Sequence, residues 1–223
     1  MTKDLLIQAI VKFFSGIVLV GFLIFAPAGT FSFAEGWLLM GILFIPMFIA
    51  GIIMMIKNPE LLKKRLKAKE KLEKQSAVVL LSGIMFAAGF IIAGLGVRFG
   101  WCLLPKGVII GATVLFLLAY LLYGEVLREN VYLGRTIEVE EGQKVIDVGL
   151  YSVVRHPMYT STILMFLSVP LVLGSIYSFS IFLIYPFLIA VRIKSEEEFL
   201  EKELKGYTEY KKKVKYRLLP FIW

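Results

Sequence analysis

Four predominantly apolar stretches, 5–26, 37–56, 77–97 and 107–123, constrain this 223-residue chain more than any other feature. Each is long enough, or nearly so, to cross a lipid bilayer as a helix. In hydrocarbon every backbone N–H and C=O has to find its partner within the protein, which selects helices for such segments. The hydrophobic fraction of 58% points the same way, to lipid rather than water as the main solvent. Pro27 and Gly29 stop the first stretch, Trp37 stands where an interfacial anchor belongs, and Asn58-Pro59 ends the second. No small-residue cleavage site precedes Pro27, so the first stretch reads as a retained helix.

A further apolar block, 159–191, is too long for one helix and is interrupted at Gly174-Ser175, which predicts two short helices in a hairpin, with Pro170 and Pro186 as kink positions. After it, the mixture of charges with Phe199, Leu200, Leu204 and Val214 predicts an amphipathic tail at the membrane surface, broken near Gly206. The expected fold is therefore all-α: a polytopic membrane bundle of four spanning helices, a C-terminal hydrophobic helical hairpin and a cytoplasmic amphipathic tail. No linker, low-complexity tract or internal repeat divides it, so one domain over 1–223 is expected, with 1–124 transmembrane and 125–223 carrying the polar residues of interest. Within the latter, 127–146 lacks a period and reads as irregular, with a short strand-like piece at 135–139. Gly83, Gly89, Gly94 and Gly96 read as close-packing positions of the third helix.

Charge sets the expected topology. The segment 57–74 carries eight Lys/Arg against three Glu, whereas the loop 27–36 has Glu35 alone. The positive-inside rule places 57–74 in the cytoplasm, and counting crossings puts both termini, the segment 125–156 and the tail there too. The two basic residues of 98–106, on the other side, oppose this only weakly. The net charge of +8 is thus accounted for by topology, and nucleic acid is not an expected partner. With one cysteine, Cys102, and one histidine, His156, the chain can form neither an internal disulfide nor a Cys/His zinc site, and no metal is expected.

Two constellations can carry chemistry. In Arg155-His156-Pro157-Met158-Tyr159, proline holds His156 out of helical geometry and starts the next helix, so a guanidinium, an imidazole, free helix-start N–H groups and a phenol converge at the membrane surface. Such a cluster suits an anionic or polar ligand; equally, it suits lipid phosphate and a helix cap. In Arg192-Ile193-Lys194-Ser195-Glu196-Glu197, Arg192 and Glu196 share a face if the helix continues, and a plain surface ion pair is the competing reading. The hairpin returns the second cluster to the level of the first. Glu125 and Glu129, at the end of the fourth helix, read as solvated or as lining the same site.

The stretches "GLYSVVRHPMY", "RIKSEEEFL" and "LKGYTEYKKKVKYRLLP", in that order around a hydrophobic hairpin, resemble the isoprenylcysteine carboxyl methyltransferase family of integral membrane enzymes, and its bacterial members most. The resemblance covers the chain from about Glu129 onward and implies S-adenosylmethionine as cofactor. It implies cofactor contacts at His156, Pro157, Met158 and Tyr159, at Tyr151, at Glu196, and at Gln143, Lys144, Val145 and Ile146. It implies a substrate-carboxylate contact at Arg192. The residues themselves add that the Arg155-His156 helix start suits the cofactor's carboxylate and that Glu196 suits its ribose hydroxyls. A carboxylate acceptor is already ionised and needs no base, whereas amine N-methylation needs proton removal, for which Glu197 and Tyr159 are the candidates. Arg192, Glu196 and Glu197 are thus the expected catalytic group. The acceptor is lipophilic or lipidated, the setting a bacterial inner membrane with the active site on the cytoplasmic side. A phospholipid amine methyltransferase, a membrane reductase using a nicotinamide cofactor, and a non-catalytic lipid-binding protein stay open.

Overall fold

A computed structural model describes residues 3–67, 73–101, 103–134 and 136–223. Cys102, Arg135 and 68–72 of the basic loop, all invoked above, lie outside the described residues. Helix α1 spans Lys3–Ala28, α2 Ala34–Lys57, α3 Pro59–Leu66, α4 Glu73–Arg98 and α5 Lys106–Glu129; α6 spans Pro157–Val172, α7 Ile176–Phe182, α8 Tyr185–Glu203 and α9 Tyr207–Lys213. The four expected spans appear as α1, α2, α4 and α5, each a few residues longer than its apolar run because helical hydrogen bonding continues into the flanking polar turns. The hairpin, expected as two short helices, has three, α6 followed by α7 and α8, because the chain breaks again at Leu183-Ile184. Pro186 opens α8 in its first turn instead of kinking a longer helix, while Pro170 lies inside α6. Residues 176–203 are long and apolar enough to form a fifth span. The protein is an all-α polytopic bundle.

Bilayer-facing and core faces separate cleanly. Phe14, Val18 and Phe22 of α1, Leu80 and Ile84 of α4, and Ile110, Leu118 and Leu121 of α5 all point outward, an arrangement that water would penalise and lipid does not. Inside, Ile24, Leu39, Phe116, Val172, Phe182 and Ile193 are buried completely. α5 packs along α6, α4 against α1, α7 and α8. Two of the four α4 glycines have the expected role: a Cβ on Gly94 would strike the α1 backbone at Ile24 and Ala28, and one on Gly89 would strike the Phe182 ring. Gly83 and Gly96 have room for a side chain, so the expectation fails for them.

Three local differences from the sequence reading matter for the site. First, α3 turns part of the basic loop into a helix: Asn58 caps it through Leu61 N–H (3.1 Å), Pro59 starts it, and buried Leu61 and Leu62 dock it on the bundle. Second, the tail is no separate helix to begin with. α8 runs straight from the membrane through Arg192 to Glu203, and only then does Gly206, at φ 89°, reverse the chain into α9. Third, the strand-like piece is absent among the described residues of 135–139, because its neighbours offer no edge to pair with. That loop is instead pinned by side chains: Lys64 to Glu140 (2.6 Å), Lys67 to Glu138 (3.0 Å), and Lys213 to Asp147 (2.8 Å), with the Arg65 guanidinium donating to the Gly134 carbonyl (3.2 Å).

Candidate functional site

The polar ends of α5, α6 and α8 meet at one end of the bundle, and the chain between α5 and α6 is folded to make them meet. Gly149, at φ 57°, opens a short 3-10 turn, Gly149–Ser152, and the Glu129 carboxylate at the end of α5 accepts the N–H of Leu150 (2.9 Å). Glu129 is therefore a structural clamp, not the solvated or site-lining group expected of it; Glu125 pairs with Arg128 (2.8 Å). A Cβ on Gly149 would fall on the Glu129 carboxylate. Gly149→Ala is expected to cost about 2–3 kcal/mol, from left-handed backbone strain and a displaced clamp, and to loosen ligand binding by moving Tyr151. Thermal unfolding and ligand calorimetry in detergent check both.

Beyond that turn, the backbone N–H groups of Arg155 and His156 donate to the carbonyls of Tyr216 (2.9 Å) and Arg217 (2.9 Å), tying the start of α6 to the C-terminal segment. His156, at φ −128° and ψ 59°, is held out of helical geometry and Pro157 begins the helix. The side chains then close on Glu197. Arg155 Nε donates to it at 2.7 Å, His156 Nε2 lies at 3.2 Å, and Arg217 donates through Nε (3.0 Å), with its Nη2 at 2.9 Å. Lys211 stands at 3.8 Å. The Arg155 Nη1 also donates to the carbonyls of Val214 (2.7 Å) and Lys215 (2.8 Å). Glu197 is 2% exposed, so this is a buried ionic hub that locks α6, α8 and the C-terminal segment together.

One residue earlier on α8 the setting changes. Arg192 Nε donates to the Tyr159 hydroxyl (2.9 Å), which in turn donates to Glu196 (2.5 Å). Arg192 and Glu196 sit one turn apart, and Tyr159 from α6 bridges them. The buried Gln75 side chain on α4 donates to the Arg192 carbonyl (3.2 Å), fixing this turn of α8 against the bundle. The bridge faces an open cleft that the α5–α6 connection, α6, α8 and α9 line together.

The cleft brings most of the expected residues together. Arg155, His156, Met158, Tyr159, Arg192 and Glu196 line one part, and Gln143, Lys144, Val145, Ile146 and Tyr151 another. Pro157 and Glu197 do not line it: Pro157 is buried at the helix start, and the Glu197 carboxylate is turned to its cations. The wall at 143–146 is held by a turn in which the Gln143 side chain accepts the Glu140 N–H (2.9 Å), and by Val145 packing on Leu204, Tyr207 and Tyr210. Tyr151 is placed by two contacts: Asn130 donates to its hydroxyl (3.0 Å) and Tyr210 donates to its carbonyl (2.7 Å). Burial pushes the Tyr151 phenol well above its ordinary pKa, so it stays a proton donor at neutral pH.

Asn130, Gln75, Arg217 and Tyr207 were not singled out from sequence. Asn130 ends α5 and Arg217 follows the lysine-rich stretch of the tail, both ordinary surface contexts. The polar Gln75 at the head of an apolar run was one local signal, and Tyr207 and Arg217 lie within the stretch LKGYTEYKKKVKYRLLP that carries the resemblance.

Residues 107–206 match the family model for phospholipid methyltransferase. The matched stretch runs from the start of α5 to the turn at Gly206 and holds every cleft residue named from sequence. A comparison with curated proteins gave no match.

Proposed function

We propose, from the match of residues 107–206 to the phospholipid methyltransferase family model, that this membrane protein transfers the methyl group of S-adenosylmethionine to the carboxylate of a lipophilic or lipidated acceptor. The observation that carries the proposal is the Arg192–Tyr159–Glu196 bridge at the cleft, which sets a guanidinium and a carboxylate side by side on one wall. The cofactor, when bound, supplies an electrophilic methyl on a sulfonium. The cleft residues fit such a group: apolar and tyrosine surfaces for a base, Glu196 for ribose hydroxyls, and His156 with the α6 start for a charged tail. Gln143, Lys144, Val145, Ile146, Tyr151, Met158 and Tyr159 complete that surface, with Pro157 fixing the helix start and Arg155 anchoring it.

Arg192 is the substrate-binding residue. Its planar fork, oriented by Tyr159, is suited to hold a carboxylate with one oxygen directed at the methyl. No general base is needed, because the acceptor is ionised at neutral pH. This favours a carboxylate over an amine acceptor: Glu197, the sequence-level candidate for a base, is surrounded by Arg155, His156 and Arg217 behind the cleft, and Tyr159 already gives its proton to Glu196. The excess of basic residues around α3 supports a cytoplasmic cleft by the positive-inside rule, and the membrane is taken to be a bacterial inner membrane. Residues 1–223 are taken as one methyltransferase domain.

Calorimetric titration of purified protein with S-adenosylhomocysteine and with a reduced nicotinamide cofactor tests the class. Binding of the first alone is expected; binding of the second alone would make the protein a reductase, and binding of neither would leave a lipid-binding protein. Glu196→Ala is expected to weaken S-adenosylhomocysteine at least about tenfold, the loss of charge-assisted hydrogen bonds, with the melting temperature nearly unchanged. Assays offering a prenylated cysteine analogue and phosphatidylethanolamine vesicles separate carboxylate from amine acceptors, and methylation of the vesicles alone would overturn the carboxylate assignment.

A further inference from the structure

Four tyrosines with strongly buried side chains surround the cleft, and three have their hydroxyls engaged: Tyr151 with Asn130, Tyr159 with Arg192 and Glu196, Tyr210 with the Tyr151 carbonyl. Tyr207 differs. It lines the cleft from the first turn of α9, the residue is 4% exposed, and its hydroxyl is buried with no hydrogen-bond partner among the described residues. Buried polar groups are rarely left unpaired, and those that are tend to await a ligand. The Tyr207 ring packs in the small apolar cluster of Leu204, Tyr210 and Val214, with Val139, Val145 and Leu200 against it. The cleft that Tyr207 lines gives a ligand access to it.

The same cluster identifies the partner's chemistry. Aliphatic side chains and tyrosine rings suit the face of a flat aromatic base, and the edge of such a base carries ring nitrogens that accept a hydrogen bond and cannot donate one. Burial holds the Tyr207 phenol far above its ordinary pKa, with the Glu197 and Glu196 carboxylates adding to the effect, so the group is a proton donor at any working pH. Resting on the methyltransferase reading of this cleft, we propose that Tyr207 reads the adenine of the cofactor, its hydroxyl donating to a ring nitrogen. Tyr207 lies just beyond the family-matched stretch, on the far side of the Gly206 reversal that brings α9 back against the cleft.

The test is calorimetry on the full chain, wild type and Tyr207→Phe, with S-adenosylhomocysteine and with analogues in which each adenine ring nitrogen in turn is replaced by C–H. The expected result is a three- to tenfold weaker affinity of Tyr207→Phe for S-adenosylhomocysteine, the range of about one neutral hydrogen bond. One analogue should bind wild type and variant equally, having lost the atom that Tyr207 reads. The ligand-free variant should melt at or above the wild-type temperature, since it no longer buries an unpaired hydroxyl. Equal affinity of wild type and variant for S-adenosylhomocysteine would overturn the inference, as would a wild type that binds every analogue as tightly as the parent. A uniform loss across parent and all analogues would also overturn it, by showing a general disturbance of the cleft. A wild type that binds no S-adenosylhomocysteine fails the methyltransferase reading itself, whereas a wild type that binds it with no Tyr207 dependence fails only the base contact.

Discussion

Glu197→Ala is expected to destabilise the protein by about 3–5 kcal/mol, the typical consequence of removing one partner from a buried charge cluster. Arg155, His156 and Arg217 would face one another around an empty carboxylate position, with Lys211 close by. Repulsion and lost hydrogen bonds would then release the C-terminal segment from α6. The signature is non-additivity. Arg155→Met combined with Glu197→Leu should be more stable than Glu197→Ala alone, because it removes an uncompensated charge along with its partner. Thermal unfolding in detergent reads both variants, and a Glu197→Ala protein as stable as wild type would show that the hub does not hold the C-terminal segment.

Arg192→Ala is expected to lower kcat/KM by at least about a hundredfold, the scale of misplacing a reacting group, while S-adenosylhomocysteine still binds. Arg192→Lys should recover little, since a single ammonium cannot reproduce the fork that meets both Tyr159 and a carboxylate. Steady-state kinetics with a lipophilic carboxylate acceptor, paired with calorimetry of the cofactor product, separates acceptor binding from cofactor binding. Equal losses in both would mean that Arg192 orders Tyr159 and Glu196 for the cofactor and does not meet the acceptor.

The two neighbouring glutamates show how much of this site was legible. Read along the chain, Glu196 and Glu197 are equivalent members of a charged run. On a helix they diverge by ~100°, and that rotation sends Glu196 toward Tyr159 and the cleft, Glu197 into the cluster of cations. The spacing of Arg192 and Glu196 was visible because it is a property of one helix. Their joining through Tyr159 was not, because it needs α6 and α8 to lie at one height. Arg155 illustrates the same limit: it was expected to meet a ligand's carboxylate, and its guanidinium meets Glu197 and two backbone carbonyls of the C-terminal segment.

The sequence by itself determined where helices cross, where they stop, and which polar residues sit at their ends, because run length, proline and glycine act through local backbone geometry and hydrogen-bond satisfaction in lipid. It also placed the single histidine before a helix-starting proline. Only the tertiary structure decided that Glu129 clamps the Gly149 turn, that Asn130 orients Tyr151, that Gln75 steadies the Arg192 turn, and that Tyr207 keeps an unpaired hydroxyl beside the cleft. Each of these joins residues far apart in the chain across the packed ends of α4, α5, α6, α8 and α9, and the distance between such residues is set by how the whole bundle packs, not by any local pattern.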